Sequence, residues 1–349
     1  MTDCVVGWDI GGAHLKACLR RDGRTLDVAQ WPCPLWRGLE HLEQALDAAA
    51  RRWPLLAQAR HGITMTGEMT DLFADRADGV TRIAACLARR WRDAHCYAGD
   101  AGWVAIARAG AHWADIASAN WLATACHVAR SGAAGVLIDI GSTTTDLIAF
   151  RAGRVLCTAR SDFARLASGA LVYQGVVRTP LCALAPRVPW RGQRVNVMHE
   201  FFATTADVYR LTGELDAAHD QHASADDGGK DAVATRRRLA RMIGLDQHDG
   251  QDADWLALAQ TWRALQIEEL AGQLARVLAE SDPGPQALAV SAGCGAFLVP
   301  ALCARVPRLA RCLSYARDVA RVDPHLAAWA EVCAPAVAVA ALYDEARPA

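Results

Sequence analysis

The chain has 349 residues, 37 Lys and Arg against 38 Asp and Glu, and 52% of its residues are hydrophobic. That length suggests two domains with substantial cores, and near-zero charge with both signs interspersed argues against nucleic-acid or anionic-membrane partners. No apolar run is long enough to span a bilayer, and Asp3 followed at once by a strand pattern gives no expectation of a signal peptide.

The twelve cysteines contain no Cys-x-x-Cys, and most sit in apolar segments, as Cys4, Cys18, Cys86, Cys126, Cys303 and Cys333 do. Reduced, buried thiols and a cytoplasmic location are the expectation.

Val5 to Leu19 reads as two apolar runs around Gly11-Gly12, a predicted hairpin with Asp9 before the turn and Lys16 after it. Asp22-Gly23-Arg24 is a turn, and Leu39 to Arg52 shows helical spacing with Leu39, Leu42, Leu46 and Ala49 on one face. Pro54 ends that helix. Gly62 to Met65 reads as a buried strand running into Thr66-Gly67-Glu68, a turn expected to open a helix. N–H groups and the helix dipole gather ligands at such a place. Glu68 there orients a substrate, acts as a base, or simply occupies the acid-favouring first turn. Val80 to Trp91 is predicted as a helix and Cys96 to Ala98 as a strand. Ser118 is the expected N-cap of a helix reaching Ala129, and Asn120 is either part of that helix start or a cleft residue. The small-residue link from Ser131 to Gly135 marks a domain boundary.

Val136 to Phe150 repeats the opening pattern. Shifted by 130 residues, Asp9-Ile10-Gly11 falls on Asp139-Ile140-Gly141 and Lys16 falls on Asp146. Such internal similarity points to a duplicated domain. Gly141 permits close backbone approach, and the N–H groups and hydroxyls of Ser142, Thr143 and Thr144 suit phosphate oxygens. Asp139 and Asp146 flank this turn as candidate Mg²⁺ ligands, while Lys16 brings a cation to phosphate at the first hairpin. An ordinary hairpin is the alternative for each.

Downstream, Thr204-Thr205-Ala206-Asp207 is a hydroxyl-rich helix start, either a ligand contact or an N-cap. Residues 216–231 are polar, with Asp, His and Gly, and read as a mobile loop or lid. His219 and His222 lack a third zinc ligand at defined spacing. Arg236 to Ile243 and Trp255 to Ala279 are helical. A strand then runs into Gly293-Cys294-Gly295, where bare backbone can approach a ligand at a helix start. Asp323-Pro324 starts a final apolar helix to Ala346.

The order of these motifs resembles the hydantoinase/oxoprolinase branch of the actin, sugar kinase and Hsp70 superfamily. The match is narrower with proteins linked to tetrahydromethanopterin one-carbon metabolism, carried by Asp9 to Lys16, Met65 to Asp71, Ser118 to Trp121, Asp139 to Asp146 and Thr204 to Tyr209. The resemblance implies an α/β, two-domain actin-like ATPase (ribonuclease H-like) fold with a cleft between duplicated domains. Its expected domains are 1–132 and 133–322, with helix 323–346 packing back on the first. It further implies phosphate binding by Gly11, Gly12, Gly141, Ser142, Thr143 and Thr144. Catalytic roles fall on Asp9, Lys16, Glu68, Asp139 and Asp146, with Mg²⁺ on the last two. Substrate contacts fall on Thr66, Gly67, Asn120, Thr204, Thr205, Asp207, Gly293 and Gly295.

The resembling group includes an enzyme of methanofuran biosynthesis that joins an aminomethylfuran, carried as its methyl diphosphate, to the phenol of γ-glutamyltyramine. The expected partner is therefore a phosphorylated small molecule, with homo-oligomerisation left open. Two alternatives stand beside it: an ATP-dependent kinase or oxoprolinase-like enzyme, and a non-catalytic nucleotide- or diphosphate-binding regulator. No Ser-His-Asp arrangement, reactive Cys motif or Walker loop favours other chemistry.

Overall fold

The computed structural model describes residues 4–347. The chain divides into two compact units, Met1–Ala133 with Phe150–Val155 and Leu313–Ala349, and Ala134–Ala149 with Leu156–Cys312.

In the first unit the chain runs β1 (Cys4–Ile10), β2 (His14–Arg21), β3 (Arg24–Pro32), α1 (Glu40–Arg52), β4 (Arg60–Met65), α2 (Arg76–Ala88), β5 (His95–Tyr97), β6 (Trp103–Ala105), the single turn α3 (Trp113–Ile116) and α4 (Asn120–Ala129). Its sheet has the order β3-β2-β1-β4-β5-β6. β1 is buried along its whole length, the pattern of a central strand covered on both faces. It pairs antiparallel with β2 and parallel with β4. The helix expected to open directly at Glu68 starts later: Thr66-Gly67-Glu68 ends in a short 3₁₀ turn, and α2 begins after Asp75, whose carboxylate accepts from the Asp78 N–H at 2.8 Å.

The second unit begins with β7 (Ala134–Ile140) and most of β8 (Thr145–Arg151); the end of β8 and β9 (Arg154–Val155) fall in the first unit, and α5 (Asp162–Ser168), β10 (Leu171–Val172), β11 (Arg187–Trp190) and β12 (Gln193–Asn196) follow in the second. Then come α6 (Thr205–Leu211), α7 (Ala232–Arg241), α8 (Asp252–Ser281), β13 (Ala287–Ala292), α9 (Val299–Arg305) and β14 (Leu309–Ser314). The main sheet order is β10-β8-β7-β13-β14, with β9 on β8 and β11-β12 as a separate ribbon. The long α8 buries Trp255, Trp262, Leu270 and Leu274 in the core beneath β7 and β8.

The chain then returns to the first unit as α10 (Ala327–Val332) and α11 (Ala334–Ala346). The single final helix expected from the sequence is broken, with a 104° bend between the two segments. Ala and Val dominate α11 because it lies against β1: a Cβ on Gly7 would stand 2.7 Å from the Ala340 Cβ. Among the described residues no single helix is long and apolar enough to cross a membrane.

The segment 216–231, expected to be a mobile loop or lid, carries several ion pairs. Asp220 pairs with Arg210 at 2.7 Å and Lys230 at 3.1 Å, and Asp226 pairs with the buried Arg238 at 2.9 Å.

Candidate functional site

Each unit opens on a hairpin whose turn is hydrogen-bonded to neighbouring loops. In the first unit, the Gly11 N–H closes the β1–β2 turn onto the His14 carbonyl at 2.9 Å. The carbonyls of Ile10, Gly12 and Ala13 accept from the N–H groups of Thr66, Leu35 and Cys33 at 3.0, 3.0 and 2.9 Å. Backbone oxygens that would repel an anion are thereby occupied.

Asp9 lies opposite Lys16 on β2 and beside Thr64 on β4, and Lys16 is in turn opposite Gln30 on β3. Directly paired positions share a sheet face, so Gln30, Lys16, Asp9 and Thr64 form a polar row across four strands. The turn after β4 adds Thr66, Gly67 and Glu68. A parallel bridge between Met65 and Ala117 draws Ser118 alongside. Glu68 is 1% exposed and accepts a hydrogen bond from the Ser118 hydroxyl at 2.9 Å.

Ser118 is therefore not the N-cap of α4, which Ala119 supplies; its backbone stands at φ +53°. The Asn120 side chain turns back to accept from the Trp121 N–H at 2.8 Å. Asp9, Lys16, Thr66, Glu68 and Ser118 thus lie toward one end of one sheet, and Asn120 opens α4 two residues beyond Ser118.

In the second unit, Gly141 N–H donates to the Thr144 carbonyl at 2.8 Å, closing the β7–β8 turn. The Gly141 carbonyl accepts from Val176, and the Ser142 carbonyl from both Val177 and Arg178, at 3.1, 3.1 and 2.9 Å. Three of the turn's four carbonyls are engaged, as at the first hairpin. The hydroxyls of Ser142 and Thr143 lie 3.4 Å apart on the rim, and the Arg178 guanidinium reaches the Thr143 hydroxyl at 3.4 Å.

The two carboxylates beside this turn differ. Asp146 is clamped by Arg165, which is 4% exposed in its side chain and also pairs with Asp162 at 2.7 Å. Burial raises the Asp146 carboxyl above its ordinary range, against the pull of Arg165. Arg165 engages one oxygen of Asp146, while Asp139 is part-buried at the end of β7.

Gly293 and Gly295 have a packing role. Gly293 takes φ +84° and a Cβ there would meet Asp139 Oδ1 at 2.5 Å, while Gly295 donates to the Ile140 carbonyl at 2.8 Å. The loop is glycine-rich because it lies flat on the end of β7.

The Thr204-Thr205-x-Asp207 start caps a helix. Thr204 and Asp207 form a capping box on α6, and the fully buried Asp207 pairs with Arg238 at 2.7 Å and Arg210 at 3.0 Å. Burial raises the Asp207 carboxyl, and Arg238 opposes it. Sequence reasoning missed Arg165, Arg178 and the role of Ser118. A lone Arg within Val176-Val177-Arg178-Thr179-Pro180 was the available signal for Arg178, since a cation in an apolar stretch needs a reason.

These two α/β units, each opening on an Asp-Ile-Gly hairpin, make up the two-domain actin-like fold. In agreement, the chain matches an acetone carboxylase structure, described as nucleotide-free, with a TM-score of 0.56 at 10% identity, over 97% of this chain and 70% of that one. The chain belongs to the hydantoinase/oxoprolinase family, whose model matches residues 60–344. It is 28% identical over 257 residues to a Methanocaldococcus jannaschii protein named (4-{4-[2-(gamma-L-glutamylamino)ethyl]phenoxymethyl}furan-2-yl)methanamine synthase, covering 73% of this chain and 76% of that protein. A Methanococcus vannielii protein of the same name is 38% identical over 73 residues, which spans 21% of this chain and 32% of that relative.

Proposed function

We propose that this protein is a transferase that forms a furan-methyl aryl ether in the synthesis of a methanofuran-type cofactor. The observation that carries the reading is the Gly141–Thr144 turn, with three of its four carbonyls engaged and its hydroxyls on the rim, in a chain similar across most of its length to a synthase whose name describes a phenoxymethyl furan. The name of that relative describes a phenol oxygen joined to a furan methylene. Making that bond requires a leaving group on the methylene carbon, and diphosphate is one that a turn of this kind would hold.

In the proposed step the phenolic oxygen attacks the furan-methyl carbon and the C–O ether bond forms. The bond from that carbon to diphosphate breaks, and the electron pair leaves with diphosphate. In the first unit Glu68 has the chemistry to take the phenolic proton and Lys16 to meet phosphate charge; in the second unit the Gly141–Thr144 turn would hold the phosphate oxygens. Asp139 would hold Mg²⁺, which would supply charge neutralisation to the departing diphosphate.

The test is pyrophosphate release by purified protein given aminomethylfuran diphosphate and γ-glutamyltyramine, with and without Mg²⁺, beside an arm containing ATP alone. Release that needs both organic substrates supports the condensation. ADP formation without pyrophosphate release would overturn it in favour of an ATP-dependent enzyme.

A further inference from the structure

We infer that Arg178 is a diphosphate-binding residue, delivering a guanidinium to the rim of the Gly141–Thr144 turn; this rests on the transferase reading above. Its backbone and its side chain both engage the turn. The Arg178 N–H donates to the Ser142 carbonyl at 2.9 Å, and its guanidinium stands 3.4 Å from the Thr143 hydroxyl. An arginine fixed at its own backbone to the loop it serves loses little freedom when an anion arrives.

The segment carrying Arg178 is built to hold still. Gly175 packs so closely on Ser142 and Thr143 that any side chain there would strike the turn's backbone. The Gly175 N–H donates to the Thr179 hydroxyl at 2.8 Å, and its carbonyl accepts from the buried Gln266 amide at 3.0 Å. Gln266 is itself held by the Tyr209 hydroxyl at 2.6 Å, and the Gln174 carbonyl accepts from the Thr145 hydroxyl at 2.7 Å. Contacts from α6, α8 and β8 therefore fix the residues on either side of the turn contact.

The charge fits the same role. Burial lowers the Arg178 guanidinium from its ordinary value, with Tyr173 acting in the opposite sense. A half-buried cation that has lost part of its hydration gains more from a phosphate oxygen than a solvated one does. The turn's hydroxyls and N–H groups orient the anion, and Arg178 adds the full positive charge they lack. The clamp on Asp146 supports this division: Arg165 neutralises that carboxylate, so it does not compete for Arg178 or repel the ligand.

The experiment titrates inorganic pyrophosphate into the full chain and into Arg178→Gln and Arg178→Lys, with melting temperatures measured in parallel. Wild-type binding is expected to weaken about ten- to a hundredfold in Arg178→Gln, the range for a charge-assisted hydrogen bond. The melting temperature should change little, because the backbone bond to Ser142 survives the substitution. Arg178→Lys should recover part of the affinity, and its KM for the diphosphate substrate should rise more than its kcat falls.

Equal pyrophosphate affinity in wild type and folded Arg178→Gln would overturn the assignment while leaving the transferase reading intact. A wild type that neither binds pyrophosphate nor releases it from the two organic substrates would overturn both. Should Arg178→Gln not fold, Arg178→Lys carries the test: affinity equal to wild type with a lowered melting temperature would assign the residue to structure.

Discussion

The Ser118 hydroxyl donates to the buried Glu68 carboxylate at 2.9 Å from a backbone held at φ +53°, a conformation non-glycine residues rarely take. A residue kept in such a conformation while its side chain meets a buried acid is a fixed orienting device. Ser118→Ala should lower turnover and lose about 1–3 kcal/mol, because the buried carboxylate loses a donor. Ser118→Gly should lower turnover similarly but melt higher than the Ala variant, since glycine accepts positive φ at little cost. Paired thermal melts and turnover rates check this. Full activity in both variants would remove Ser118 from an orienting role.

Asp146 and Arg165 give the second expectation. A carboxylate facing a guanidinium that is almost wholly buried serves mainly to balance it. Asp146→Asn should cost about 1–3 kcal/mol, less than the loss of an isolated buried pair because Asp162 stays on Arg165. The Mg²⁺ concentration for half-maximal turnover should stay near wild type. Asp139→Asn should instead raise that concentration with little change in stability. Urea unfolding and Mg²⁺ titration separate the two residues, and reversed results would return the metal to Asp146.

Asp207 supplies a third. It accepts from Arg238 at 2.7 Å and from the Thr204 N–H at 3.1 Å with no exposure of its own side chain. Asp207→Ala breaks the capping box and leaves a buried arginine with one fewer carboxylate. A loss of about 3–5 kcal/mol is expected, with activity per folded molecule retained. Unchanged stability with impaired substrate binding would instead make this segment a ligand contact.

The two hairpins and most helices were legible because their signals are local. Alternating and continuous apolar runs around Gly11 and Gly141 specify strands and turns whatever the rest of the chain does. What escaped was non-local. Ser118 has the residue type of an N-cap and stands where one belongs, yet its partner Glu68 is fifty residues away. Arg165 lies nineteen residues beyond Asp146, and nothing in the spacing announces that the two meet. Asp207 was ambiguous for a different reason: a capping box and a ligand loop use the same residues, and its buried partner Arg238 lies thirty-one residues away.

His61 gives a pH expectation with a definite sign. Burial lowers its imidazole from 6.5 to about 4, with the Leu56 carbonyl opposing the shift. Its Nδ1 accepts from the Trp8 indole N–H at 3.0 Å, its Nε2 lies 3.1 Å from the Leu56 carbonyl, and Trp91 stacks on the ring. Protonating Nδ1 would set two donors against each other inside the core. The unfolded chain therefore binds this proton more readily than the folded one. The stabilisation is present above about pH 6.5 and is lost as the pH falls toward 4, amounting to about 3 kcal/mol. Urea midpoints taken across that window should drop on acidification, and His61→Gln should flatten the drop. An imidazole that titrates near 6.5 in the folded protein by NMR would show that the ring is hydrated, and the acid slope would then belong to other groups.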